Sequence, residues 1–231
     1  MKTVEEWLQA FNLLYNNIAS DKAPGLEPFE ISRFLTDAQN AVVIALYKGT
    51  YGSSFESNEE TTAALECLVK QSTSTVPLAS AGNLPTLSEY SVMFAMPSDV
   101  LFRTLELCRI QTDCKPEGET VPVVPVTQDE YWRTQSNPFK KSNKRRVLRL
   151  ASPEVENSTE SHRYVELISE NDILSYTVRY IRFPKPIVLE KLEDGLSIDG
   201  ATEEQTCELP EQLHQIILAE AVRMAKATWN G

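Results

Sequence analysis

A chain of 231 residues, 42% hydrophobic and 24% charged, has enough apolar material to bury a core, as one large domain or one domain carrying an insertion. A formal charge of −11 excludes a protein that coats nucleic acid or anionic lipid over its whole surface. With 8 glycines against 13 prolines, glycine-rich phosphate loops, flexible linkers and collagen-like repeats have little to work with.

Glu5 and Glu6 interrupt the first 20 residues, which therefore do not read as a secretory signal. No run reaches the roughly 18 apolar residues of a spanning helix. Cys67, Cys108, Cys114 and Cys207 are irregularly spaced, which fits reduced thiols in a cytoplasmic product better than a disulfide framework.

Val4, Trp7, Leu8, Phe11, Leu14, Tyr15 and Ile18 recur at helical spacing, and Thr3 with Glu6 forms a capping box at the start. A second helix is predicted over 28–48, with Ile31, Phe34, Leu35, Ala38, Ala41, Val42, Ala45 and Leu46 inward and Gly49 as its stop. A third is predicted over 59–70, capped by Asn58 or Ser57, with Leu65, Leu68 and Val69 inward.

Beyond Gln71 the pattern changes. Residues 71–88 are rich in Ser, Thr and Pro and read as a loop or short strand with turns. A strand is predicted over 90–96, and 100–110 fits a buried helix or a strand equally. Residues 121–126, broken by Pro122 and Pro125, read as extended chain at a sheet edge. Strands follow at 145–151, 164–168 and 174–183; the last alternates Tyr176, Val178 and Tyr180 with Thr177, Arg179 and Ile181. Residues 187–189 are extended and 190–206 form an acidic loop. A closing helix starts at Pro210, with Leu213, Ile216, Ile217, Ala221, Met224, Ala225 and Trp229 on one face. The predicted class is α+β: a helical bundle of N-terminal helices (1–70) and a returning C-terminal helix (209–231), with a mixed, β-rich insertion (71–208).

Chemical motifs are sparse. His214 lies beside the apolar stripe of the last helix without a second ligand at metal spacing, and His162 sits in a polar turn. Cys108 and Cys114 stand too far apart for a zinc knuckle, and no nucleophile elbow occurs. Gly195–Thr202 has two glycines at phosphate-loop spacing but alanine where the lysine belongs. The sequon at Asn157 carries no weight without a secretion signal. The expectation is no catalytic residue, no cofactor and no metal.

One charge anomaly stands out. Lys140, Lys141, Lys144, Arg145, Arg146 and Arg149 form a basic run without an acid in an acidic chain. The run fits a solvated hairpin, or a surface that docks on acid: a neighbouring copy, another acidic protein, or a phosphate backbone. A basic loop on an acidic body favours head-to-tail association.

Four segments carry a resemblance to a known family: FEISRFLTDAQNAVVIALYKG; Asp129-Glu130-Tyr131 before Asn137-Pro138-Phe139; YTVRYIRFPKPIVL; and CELPEQLHQIILAEAVRMAKATW. In this order they resemble the head-to-tail connector (adaptor or ring) proteins of short-tailed phages of the crAss-like, Bacteroidetes-infecting type. The resemblance implies a virion structural protein made in the bacterial cytoplasm, at the head–tail junction or in the upper tail. It implies a ring, commonly twelve-fold, that docks under the portal protein and meets the next tail or ring protein, with no membrane partner. Genomic DNA would pass through the lumen without specific binding, which favours an acidic or neutral wall because a basic one would hold phosphates. The basic run, with Met224 and Trp229 of the last helix, is then expected at contacts between subunits or with the portal. Reversing Arg145 and Arg146 is expected to impair assembly. Two other classes stay open: a tail-borne cell-wall hydrolase using two carboxylates, which a glycan-degradation assay separates, and a monomeric cytoplasmic module gripping an acidic peptide or RNA.

Overall fold

The computed structural model describes residues 3–18, 25–49, 59–75, 88, 90–112, 114–143, 145–151, 163–193 and 195–230. The fold is α+β, with five α-helices and a curled, mixed seven-stranded sheet among these residues. The chain divides into two compact units: Met1–Leu68 with Phe183–Gly231, and Val69–Arg182.

The first unit is built on α1 (Val4–Ile18), α2 (Pro28–Lys48), α3 (Glu59–Leu65) and α5 (Glu211–Asn230). At α1 the Thr3 N–H donates to Glu6 Oε2 at 2.8 Å and the Glu6 N–H to Thr3 Oγ1 at 3.2 Å, the reciprocal capping box. Among the described side chains of the apolar stripe, Trp7, Phe11 and Tyr15 are buried, while Leu14 and its neighbour Leu13 face outward. On α2, Gly49 adopts φ 75°, ψ 24°, and its N–H reaches the carbonyls of Ala45 and Leu46, closing the helix as its sequence position requires. His214 of α5 is buried, with Nε2 3.0 Å from the Leu209 carbonyl and its ring 4.9 Å from that of Trp7, so it belongs to the helical core.

Three polar residues of α2 are also fully buried: Ser32, Thr36 and Gln39. They face the extended run after Phe183, which has no ladder of its own. Thr36 Oγ1 accepts the Ile187 N–H at 3.0 Å and donates to the Ile187 carbonyl at 3.2 Å. Ser32 Oγ accepts the Leu189 N–H at 2.9 Å, and Gln39 Nε2 donates to the Lys185 carbonyl at 2.8 Å. One helix face thus does the work of a neighbouring strand. Val188 then pairs with Gln205, and Val188, Leu192 and Ile198 form a small core with Phe29. The two-glycine motif is a tight reversal here: Asp199 (φ 48°) and Gly200 (φ 85°) lie between Ile198 and Ala201, which pair.

The second unit holds β1 (Val69–Ser74), β2 (Ser91–Met96), β3 (Val100–Thr112), β4 (Lys115–Pro125), α4 (Gln128–Gln135), β5 (Val147–Ala151), β6 (Arg163–Ile168) and β7 (Ile173–Arg182). Strand order is β1-β7-β3-β4-β5-β6-β2, antiparallel except for β4 with β5. The sheet curls around one core, which joins Phe94, Cys108, Ile110, Val121, Val147, Val165, Tyr176 and Val178. Burial pushes the Cys108 thiol up to about 12, with the charge of Glu106 adding to it.

Two expectations change and one open alternative is resolved. The third helix stops at Leu65 and a 3₁₀ turn leads to Leu68; Val69 then begins β1, because residues 69–74 find a full antiparallel partner in 176–181. The 100–110 segment is a strand, held between β4 and β7. Residues 121–125 lie inside the sheet order, not at its edge. Pairing to β3 ends at Pro122 and pairing to β5 starts at Val123, so the proline stands where one neighbour replaces the other and no ladder bond is lost.

Gly118 of β4 has φ +96°, and a Cβ there would lie 2.7 Å from Arg109 Nε and 2.9 Å from Leu174 Cδ1. Gly118→Ala is expected to cost about 1–3 kcal/mol, read as a lower urea midpoint. An unchanged midpoint would contradict it.

Candidate assembly surface

The parallel pair β4–β5 requires a crossover, and the crossover carries the site. Thr127 opens α4, its side chain accepting the Glu130 N–H at 3.3 Å, with Asp129 and Glu130 in the first turn. Tyr131 buries itself against Leu148, Leu150 and Ile168 on the outer face of the sheet. Its neighbour Trp132 is 66% exposed, and the two rings meet edge-on at 5.3 Å.

Two asparagines shape the following loop. Asn137 Oδ1 accepts the Phe139 N–H at 2.9 Å, and Asn143 Oδ1 accepts the Arg145 N–H at 2.9 Å. Arg146 Nη1 donates across the loop to the carbonyls of Phe139 (3.1 Å) and Lys140 (3.3 Å), holding its two limbs together. Phe139, 86% exposed, projects from this braced loop.

The basic run therefore separates into different jobs. Lys140 and Arg145 are exposed. Lys141 is half-buried, with Nζ 3.6 Å from Glu170 Oε1, and Arg146 braces the loop. Arg149 turns to the inner side of the sheet, where its Nε lies 3.0 Å from Glu106 Oε2. Met224 is half-buried and Trp229 lies in the last turn of α5, both in the helical unit. Lys144, His162, Asn157, Ser57, Asn58 and the side chain of Trp229 lie outside the described residues.

Grooves flank α4 on both sides. One, of about 530 Å³, is lined by Val126, Arg133, Phe139, Lys140, Arg146 and Leu148. The other, of about 580 Å³, is lined by Tyr90, Trp132, Gln135, Ser142 and Glu170. The exposed aromatics Trp132, Phe139 and Tyr90 belong to this surface and escape charge counting. The Thr127-x-x-Glu130 spacing is the signal that marks the helix presenting Trp132. A basic, aromatic-studded ridge is suited to recognising an acidic surface with apolar points, and among the described residues no group of three His, Cys, Asp or Glu side chains could hold a metal ion.

Comparison with known proteins accounts for the whole chain. Ring protein 3 of Bacteroides phage crAss001 is 37% identical over 230 residues, covering 96% of this chain and 94% of that protein. Ring protein 4/5 of the same phage is 30% identical over 236 residues, covering 99% and 94%. The family model described as phage tail ring protein 3/4 matches residues 1–230. End-to-end agreement with that model and with two ring proteins makes this chain a member of the phage tail ring protein 3/4 family.

Proposed function

We propose that this chain is a virion structural protein that works as one subunit of a closed homo-oligomeric ring in a phage tail. The observation that carries the reading is the full-length match to two proteins that both bear the name of ring protein in one phage. The physical chemistry agrees. A ring subunit must offer two different, mutually complementary faces, since only head-to-tail contacts close by rotation. A chain of net charge −11 that carries five of its 22 bases, and no acid, within residues 139–146 supplies such an asymmetry. The remaining acidic surface suits a lumen through which DNA passes without being held.

The ring is proposed to be twelve-fold, to sit at the head–tail junction or upper tail below the portal, to extend the DNA channel and to present its far side to the next ring. The test is electron microscopy of virions with the chain labelled, together with the mass of the complex released from them. Closed rings of this chain on the tail axis are expected, with twelve copies. Recovery of the chain only as a monomer outside the virion would overturn the reading.

A further inference from the structure

Resting on that reading, we infer that neighbouring subunits join through the basic loop of one copy and the acidic 190–204 segment of the next. The two stretches are opposite in charge: residues 139–146 carry five bases and no acid, and residues 190–204 carry six carboxylates and a single lysine. Both are built to project. The basic loop is braced by Arg146 and tipped by Phe139. In the acidic segment, Leu192 N–H donates to the Thr202 carbonyl at 2.8 Å, Val188 pairs with Gln205, and the buried Val188, Leu192 and Ile198 anchor it.

The acidic side also has an apolar tip. Leu196 is 48% exposed in the turn after Gly195 (φ 80°), its N–H bonded to the Glu193 carbonyl at 3.1 Å. In the same segment Glu190, Glu193 and Glu204 are exposed. Asp199 is paired with Arg33 at 3.2 Å, and Glu203 with Lys191 at 3.3 Å. An apolar point in a carboxylate-rich segment meets an aromatic point in a basic loop, and the groove beside Phe139, where Val126 and Leu148 lie among Glu130, Arg133 and Arg146, offers Leu196 a partly apolar seat. Both surfaces are pre-formed, which limits the ordering cost of binding. They are chemically unlike, so each contact leaves one copy's acidic segment and the other copy's basic loop free. Such a contact propagates from copy to copy, and closes as a ring where its rotation divides a full turn.

The experiment is a charge swap on the full chain. Variant one carries Lys140→Glu with Arg145→Glu; variant two carries Glu190→Lys, Glu193→Lys and Glu204→Lys. These side chains are exposed, and circular dichroism checks that both variants fold. Assembly is read by sedimentation and microscopy of the purified chain, and by incorporation into virions. Each variant alone is expected to need about tenfold or more protein to assemble, through like-charge repulsion at the contact. Mixing the two restores assembly, because each then meets its complement. Wild-type rings with unaffected variants would overturn this contact and leave the ring reading standing, as would a mixture that assembles no better than its parts. A wild-type chain that forms no ring in either setting would overturn the ring reading and the contact together.

Discussion

Replacing Thr36 by valine is expected to destabilise the chain by roughly 2–6 kcal/mol, at about 1–3 for each of the two buried backbone groups stranded without a partner. Valine keeps the shape of threonine and removes the hydroxyl, which both accepts the Ile187 N–H and donates to the Ile187 carbonyl. Ile187 is fully buried, so water does not replace the lost partner. Thr36→Ser keeps the oxygen and is expected to lose far less. Equilibrium unfolding in urea separates the two, and hydrogen exchange at the amides of Ile187 and Leu189 locates the damage. Ser32→Ala is expected to act at Leu189 in the same way, through the lost 2.9 Å bond. A valine variant as stable as wild type would show that the polar stripe of α2 does not hold the extended run. The consequence reaches assembly, because that run leads directly into the acidic segment proposed to meet the next copy.

The same stripe shows where the sequence is legible and where it is not. The capping box at Thr3 and Glu6, the stop at Gly49 and the alternation of Tyr176, Val178 and Tyr180 are local signals, and each forms as its spacing implies. Ser32, Thr36 and Gln39 share a helix face too, but polar residues at that spacing read as the solvated side. Only their distant partners at 185–189 make them core. Val69 follows Leu65 and Leu68 at a spacing that continues a helix, and a strand wins because β7 offers 69–74 a full register. At the candidate assembly surface the charge is legible in the sequence and its division of labour is not. Phe139 and Trp132 are aromatic residues, which composition alone assigns to a core, and the braced loop and short helix carry them outward. In the sequence Arg149 reads as one more member of the basic run. Two residues from Val147 on a strand, it shares the inward face of that valine.

That placement leads to the second large effect: Glu106→Ala is expected to cost about 3–5 kcal/mol, the usual loss when one member of a buried ion pair is removed and the other stays behind. The side chains of Glu106 and Arg149 are 8% and 14% exposed, with Oε2 and Nε 3.0 Å apart. The Tyr176 hydroxyl donates to the other oxygen of Glu106. Burial pushes the pKa of that phenol far above its ordinary value, and the nearby Glu106 charge pushes it further, so Tyr176 stays a donor at every pH the protein meets. Removing the carboxylate strands a guanidinium and a phenol together inside the sheet. Replacing both charges, as Glu106→Met with Arg149→Met, removes the unpaired charge along with the pair and is expected to recover most of the loss. Unfolding free energies of Glu106→Met, Arg149→Met and the double variant close the cycle, and simple additivity would refute the pairing. The double variant also separates Arg149 from its basic neighbours. If the guanidinium serves only the interior, rings of that variant form at the same protein concentration as wild type, whereas a surface role would leave it as deficient in assembly as the Lys140→Glu, Arg145→Glu chain.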